Sequence, residues 1–137
     1  MANELTLVFE TEPPVPFTCA DGATIEKGTL VKIADPYTVA ITAADHDAVI
    51  GVTSEEKIAN DGKVKVGVYM AGVFKATAGT GGVTAGAAID SDASTSAPNK
   101  LADAAVNGEN IVGRALETAA AGETFLFQLN PFMANLA

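Results

Sequence analysis

The chain has 137 residues, with 17 acidic against 8 basic side chains and a formal net charge of −9. That length suits one domain with a substantial core, and a single cysteine excludes an intrachain disulfide. The acidic balance disfavours nucleic acid and anionic membranes, which are bound through clustered lysine and arginine. Abundant glycine and threonine, without tryptophan, favour many short strands over long helices.

The first residues, MANELTLVFETE, carry acids and lack the basic segment and long apolar run of a secretory signal peptide. No stretch of the sequence reaches the roughly 20 apolar residues that a membrane-spanning helix needs. We therefore expect a protein made and kept in a cytoplasm-like compartment, or in a particle assembled there.

Residues 1–20 are predicted to form an extended N-terminal arm. Leu5, Leu7 and Phe9 alternate with Thr6 and Val8, a pattern typical of an extended strand. The prolines of TEPPVPFTC then fix the backbone and remove hydrogen-bond donors, which favours extended or polyproline geometry. The segment is interpreted either as a partner-binding arm or as an edge strand followed by a rigid bend.

The stretch from Ala48 to Gly72 shows the clearest pair of strands. An apolar run through Gly51 is followed by an acidic connection and an Asp-Gly turn. Beyond that turn Val64, Val66 and Val68 alternate with polar residues, which predicts a half-buried strand.

Glycine landmarks of the first half return in the second half at offsets of 58, 62 and 60 residues: Gly28 and Gly86, Gly51 and Gly113, Gly62 and Gly122. This spacing indicates either an internal duplication or ordinary hairpins with common glycine turns. Matching Val64 to Phe125 predicts one extra residue after Gly122. The predicted β-domain covers residues 21–137, with pseudo-repeats over about 23–76 and 83–131 and the glycine-rich residues 79–86 as connector.

The segment LADAAV, residues 101–106, is predicted to form one or two helical turns that end at Asn107-Gly108. The predicted fold class is mainly β. We expect a small β-barrel or β-sandwich-like domain of two similar glycine-turn units, with an extended N-terminal arm and at most one short helix.

No cluster of side chains in the sequence predicts catalysis, a cofactor or a metal. The sole histidine, His46, stands between two aspartates, but adjacent residues of an extended chain point to alternating sides and do not converge on an ion. The acidic loop from Asp90 resembles the start of a calcium loop, yet Thr95 and Leu101 stand where such a loop needs glycine and glutamate.

Glu55 and Glu117 occupy matching places in the two halves but lack the aromatic surroundings of a glycosidase pair. The sequence therefore predicts a protein that is not an enzyme. Two other classes remain open. One is a carbohydrate- or surface-binding β-module, and the other is a lipoyl-type carrier, for which Lys63 beside an Asp-Gly turn is the fair candidate.

Several segments, taken in order, resemble the capsid cement (head decoration) proteins of tailed bacteriophages: GTLV from Gly28, AVIGV from Ala48, GVF from Gly72, GAAI from Gly86 and VGRALETAAAGET from Val112. The last segment is the most specific, and the similarity spans roughly residues 23–129. The chain departs from the family at Met70-Ala71, where the family often has Arg-Gly-Val, so any contact through that arginine is in doubt.

The resemblance implies a structural virion protein, made in the host bacterial cytoplasm, that binds the outer surface of a capsid and stabilises it. It implies the major capsid protein as partner and other copies of the chain as neighbours, commonly in a homotrimer. Partner contacts are predicted for apolar side chains near both ends: Leu5, Leu7, Phe9, Val15, Phe17, Phe132 and Met133. The alternative is that both ends pack on their own domain.

Overall fold

The structure is a computed structural model and describes residues 3–44, 47–92, 99–104 and 110–133. Within these residues the chain forms eleven β-strands and no helix, which confirms the mainly β class. No described segment is a helix long and apolar enough to cross a membrane.

The strands follow one another along the chain as β1 (Thr6–Phe9), β2 (Val15–Thr18), β3 (Leu30–Asp35), β4 (Thr38–Ile41), β5 (Val49–Thr53), β6 (Lys65–Tyr69), β7 (Gly72–Ala78), β8 (Ala88–Ser91), β9 (Lys100–Asp103), β10 (Asn110–Ala115) and β11 (Thr124–Met133). Strands β2 to β6 close into a five-stranded barrel, here called barrel 1. Strands β7 to β11 form barrel 2, which closes where β7 pairs with β9. Strand β1 adds to barrel 2 at the edge of β7.

The two barrels share one pattern of strand pairing, so that β2–β6 correspond in order to β7–β11. Each barrel closes through a parallel pair, β2 with β4 and β7 with β9, and its other pairs are antiparallel. The isolated bridges from Ile25 to Lys57 and from Val83 to Ala119 also occupy corresponding places. The shared pairing explains the repeated glycine landmarks, while descent from a duplicated unit stays a prediction.

The boundary between the barrels lies between β6 and β7, whereas the sequence placed the connector at residues 79–86. Val83 in that segment is buried and bridges to Ala119, so the segment is a turn of barrel 2. The predicted arm likewise contributes two strands to the chain's own sheets, because β1 pairs with β7 and β2 pairs with β6.

The helical turns predicted from residue 101 are wrong for the part that the structure describes. Lys100–Asp103 form β9, in which Leu101 is fully buried and pairs with Ala78 and Ser91. Burying this leucine between two strands outweighs the weak local helix preference of the segment. The predicted helix end at Asn107 lies outside the described residues.

The extra residue predicted after Gly122 is also wrong. Val66 pairs with Phe17 in barrel 1, and Phe125 pairs with Ala76 at the corresponding point of barrel 2. Barrel 2 therefore has one residue fewer between its glycine turn and its last strand than barrel 1 has. The turn absorbs this difference, so the alternating side chains of β11 still face the core.

The larger of two hydrophobic clusters joins the barrels. It fills barrel 2 and includes Leu30, Val49 and Val52 from β3 and β5 of barrel 1. At this junction the side-chain Oδ1 of Asn99 accepts a 3.0 Å hydrogen bond from the backbone N of Leu30, and both residues are fully buried. One face of barrel 1 is thus covered by barrel 2.

Candidate interaction surfaces

The contact residues predicted in the first 20 positions differ widely in exposure. Leu5 and Phe17 are each 5% exposed and belong to the chain's own cores, while Leu7 and Val15 are half-buried against the same cores. Phe9 is 64% exposed and therefore presents most of its surface to solvent. The structure brings β1 to a sheet edge, where the backbone of an edge strand is open to pairing.

The predicted contacts near the C terminus lie at the end of β11. Ile111 of β10 pairs with Phe132, and Asn110 pairs with Met133. The side chains of these two β11 residues lie outside what the structure describes. A role in partner contact for them stays a prediction.

Sequence reasoning missed three exposed apolar side chains of barrel 1, Tyr37, Ile58 and Val64, here called together the barrel 1 patch. Their exposed fractions are 58%, 59% and 51%. The backbone N of Thr18 donates to the carbonyl oxygen of Tyr37 over 3.1 Å, and the backbone N of Cys19 donates to that of Val64 over 2.9 Å. The backbones of Tyr37 and Val64 therefore flank the same end of β2.

Barrel 2 does not repeat the apolar character of this patch. The hydrogen bond from Ala78 to Glu123 corresponds to that from Cys19 to Val64, so a glutamate stands where barrel 1 has a valine. Ala120, which follows the bridge residue Ala119, stands where barrel 1 has Ile58 after the bridge residue Lys57. The apolar surface is thus a property of barrel 1 and not a requirement of the fold.

Tyr37 adopts an unusual backbone conformation in the turn between β3 and β4. Its φ is +52°, a region that glycine and asparagine tolerate far better than an aromatic residue. Its ring stacks on Phe17 with centroids 4.6 Å apart and planes inclined by 17°. The corresponding residue of barrel 2, directly before β9, is Asn99, with φ +63°.

A small groove lies on barrel 2, with a volume of about 70 Å³ and a lining of Ala88, Ile111, Gly113, Arg114, Gln128 and Asn130. The exposed guanidinium of Arg114 donates to the carbonyl oxygen of Gly86 over 2.6 Å. Arg114 pairs with Ala88 as Val52 pairs with Leu30 in barrel 1. The face that is buried at the junction in barrel 1 is therefore open to solvent in barrel 2.

The ammonium group of Lys57 is buried and surrounded by oxygen atoms. Its Nζ donates to the carbonyl oxygens of Asp21 and Ile58 over 2.8 and 2.6 Å and to Asp61 Oδ1 over 2.7 Å. Burial lowers the pKa of Lys57, but hydrogen bonds to the carboxylates of Asp61 and Asp21 outweigh burial and leave that pKa raised. A lysine held in its charged form fastens the turn and is no nucleophile.

The residues considered for metal binding are described only in part. His46 lies outside the described residues, while Oδ2 of Asp47 accepts hydrogen bonds from Ala43 and Ala44 and lies 3.5 Å from the Nζ of Lys32. Burial raises the pKa of Asp47, but these contacts outweigh it and leave the pKa lowered. Among the described residues no group of three or more His, Cys, Asp and Glu side chains is placed to hold a metal ion.

The matching acids Glu55 and Glu117 have the same structural task in the two barrels. Glu55 accepts a hydrogen bond from the backbone N of Gly67 over 3.1 Å, and Glu117 accepts one from Leu126 over 2.9 Å. Lys63, the lipoyl candidate, lies 3.2 Å from the carboxylate of Glu55. These side chains fasten turns to strands.

Comparisons with known proteins agree with this geometry. A comparison with curated protein sequences finds no match. The N base of the head fiber gp8.5 of bacteriophage phi29 aligns with a TM-score of 0.58 and 14% identity, over 85% of this chain and 94% of that chain, and so shares its fold. The family described as phage cement protein matches residues 9–129. Since that match spans most of the sequence, the chain belongs to the phage cement protein family, as the closing segment VGRALETAAAGET predicts.

Proposed function

We propose that this protein binds the outer surface of a phage capsid, contacts the major capsid protein and stabilises the shell without catalysis. Membership of the phage cement family, over residues 9–129, is the observation that carries the proposal. The local chemistry supports it, because the buried charges at Lys57 and the acids at Glu55 and Glu117 are engaged in holding turns. In this proposal the protein is made in the host cytoplasm and ends on the virion exterior.

Ile58 and Val64 of the barrel 1 patch form the surface that we propose to face the capsid. Full burial of Ile58 and Val64 against a shell would contribute about 1–2 kcal/mol each through the hydrophobic effect. The corresponding positions of barrel 2 hold Ala120 and Glu123, which offer no such contribution. An apolar surface present in one of two equivalent barrels is typical of an interaction site.

Strand β1 is a second proposed contact, in keeping with the arm predicted from the sequence. Its edge position suits strand addition to a neighbouring chain, with Phe9 as the exposed anchor. Leu5 and Phe17 support this contact indirectly, because their burial fixes β1 and β2 on the barrels. Association of copies into a homotrimer belongs to the same proposal.

Capsids of the encoding phage, purified without this protein, provide the test. Added protein is expected to cosediment with them to saturation and to raise the temperature at which they disrupt. The double variant I58S/V64S should bind at least about tenfold more weakly, by the loss of apolar burial. The matched control L116S removes an apolar side chain that is 47% exposed on barrel 2 and should bind like the wild type. Capsids that neither bind the wild type nor gain stability would contradict the proposed function.

A further inference from the structure

We infer that Tyr37 of one copy docks into the barrel 2 groove of a second copy, so that copies associate head to tail. The inference rests on the proposed function for the claim that copies associate, and it names the two surfaces that meet. It follows from the equivalence of the two barrels and from the chemistry of the surfaces.

The two barrels of one chain meet at an internal junction. The side-chain Oδ1 of Asn99, the residue directly before β9 in barrel 2, accepts a hydrogen bond from the backbone N of Leu30 in barrel 1. Val52, paired with Leu30, is fully buried in the shared cluster. The residue before β9 of barrel 2 therefore docks on the β3–β5 face of barrel 1.

The two surfaces of the internal junction have counterparts on the opposite barrels. The tip of barrel 1 is Tyr37, which is 58% exposed, and the face of barrel 2 is the open groove beside Ala88 and Arg114. Superposing barrel 1 on barrel 2 places the β3–β5 face of the junction on this groove. The barrel that would then dock on the groove belongs to another copy, and the residue it presents in the place of Asn99 is Tyr37. Each chain thus presents one tip and one face with complementary positions.

The side chains of the two surfaces suit the proposed contact. The exposed guanidinium of Arg114 suits the face of an aromatic ring, and the exposed amides of Gln128 and Asn130 suit a phenol hydroxyl. Ile111 supplies an apolar floor. The positive φ of Tyr37 bears a conformational cost, which stacking on Phe17 offsets within the chain. This stacking fixes the ring in place while 58% of the residue stays exposed, so the ring is ready for a second contact.

The proposed contact is heterologous, since it joins two different surfaces. Such a contact closes into a ring when the rotation from one copy to the next is a whole fraction of 360°. A ring of three copies would contain six barrels. A single side chain in a small groove falls short of the roughly 800 Å² per partner of a stable interface. We therefore expect weak association in free solution and firmer association on a capsid, where neighbours are held at high effective concentration.

Cross-linking of two single-cysteine variants tests the inference. Y37C and Q128C are made in a background where the buried Cys19 is replaced by alanine, and are treated with a short bis-maleimide both free and on capsids. A linked dimer is expected only when the two variants are mixed, with peptides that join positions 37 and 128. Y37C mixed with the control K63C, a partly exposed position on barrel 1, should give no such product. A product from Y37C alone, or none from the mixture on capsids that it binds, would overturn the inference.

A second measurement guards against loss of folding. Y37G loses the stacking on Phe17 but also relieves the positive-φ strain, so the protein is expected to stay folded, with a melting temperature within about 5 °C of the wild type. The same variant should reduce self-association in sedimentation equilibrium at least about tenfold. Y37F keeps the ring and should associate like the wild type within about threefold. Equal association of Y37G and wild type refutes the docking. Capsid binding by the wild type is scored separately, so failure of the proposed function is distinguishable from failure of this contact.

Discussion

Lys57 shows how one residue can differ between two barrels of the same pairing pattern. In barrel 2 the corresponding bridge residue is Ala119, which needs no polar partners. In barrel 1 the lysine ammonium is surrounded by oxygens of Asp21, Ile58 and Asp61. A buried charge is tolerated only when it is paired and hydrogen-bonded. The stability of the turn around Lys57 therefore depends on these oxygen partners.

Replacing Lys57 by methionine keeps much of the side-chain volume and removes the charge. The variant removes the Lys57 donor from the Asp21 carbonyl and from the Asp61 carboxylate, which keeps its bond from the backbone N of Lys63. We therefore expect the melting temperature to fall by roughly 10 °C. The control K63M removes an exposed lysine paired with Glu55 and should shift the melting temperature by less than about 2 °C. Thermal unfolding followed by circular dichroism measures both variants, and equal shifts would contradict the role of Lys57.

Stability should depend on pH through the same cluster. The hydrogen bond from Lys57 lowers the pKa of Asp61, so its contribution is present above the unfolded pKa of about 3.9 and is lost as pH falls through the folded pKa. The raised pKa of Lys57 gives a contribution that is complete below about 10.4 and is lost as pH rises through the folded pKa.

We therefore expect a melting temperature that is level between about pH 5 and 9 and falls beyond both limits. The variant D61N should melt below the wild type at pH 7, with a difference that shrinks below about pH 4. Melting curves across this range provide the measurement. A difference that stays constant down to pH 2 would show that Asp61 acts through packing and not through its charge.

The sequence predicts some of these residues and not others, for a physical reason. Glu55 and Glu117 are recognisable as a matched pair because the chain spacing carries that information. Lys57 and Tyr37 are not, because their roles depend on contacts with Asp21 and Phe17, which are distant in sequence. The same limit explains why Leu5 and Phe17 were expected at a partner surface and lie in the chain's own cores.

At the level of strands, two corresponding glycines permit the barrels to close. A Cβ at Gly51 would collide with the carbonyl oxygen of Tyr69, and one at Gly113 would collide with that of Gln128. Both glycines face the neighbouring strand inside a narrow five-stranded barrel, where backbones approach closely. The repeated glycine landmark thus has a steric cause.

The variant G113A should destabilise the protein by about 3 kcal/mol, because the neighbouring backbone must move to admit the methyl group. The control G22A places its Cβ no nearer than 3.9 Å to Asn60 and should change stability by less than about 0.5 kcal/mol. Urea titration of the two variants gives the comparison. A G113A protein as stable as the wild type would show that β10 and β11 shift freely.

The strands that the sequence predicts most clearly are those in which apolar and polar residues alternate. Val66 and Val68 of β6 are recognisable from their neighbours alone, and the structure buries both. Strand β9 is missed because LADAAV has a helical preference, and the pairing of Leu101 with Ala78 and Ser91 makes it extended. Local pattern therefore predicts the strands whose burial repeats every second residue, and tertiary pairing decides the others.

At the level of the whole molecule, the two barrels share the larger hydrophobic cluster and are expected to unfold together. Leu30, Val49 and Val52 belong to barrel 1 but pack in the cluster that fills barrel 2. Strand β1 reinforces the link, because Leu5 bonds to Gly28 of barrel 1 over 2.8 Å while the following residues pair with β7.

Calorimetry should accordingly show one transition, with a calorimetric enthalpy equal to the van't Hoff enthalpy. L30A should lower stability by about 3 kcal/mol and retain a single transition, since the junction is part of the common core. The conservative variant L30M should lose less than about 1.5 kcal/mol. Two separated transitions in the wild type would mean that the barrels fold independently.

The position of β1 has a consequence for how the protein is made. Leu7, which leaves the ribosome before barrel 1, pairs with Phe74, which follows only after the whole of barrel 1 has been synthesised. Pairing across such a sequence distance slows folding, and until it forms, the apolar face of β3 and β5 has no cover. The nascent chain thus passes through a stage in which barrel 1 has been synthesised and the apolar face of β3 and β5 is exposed. This is the stage at which binding of a host chaperone would help most.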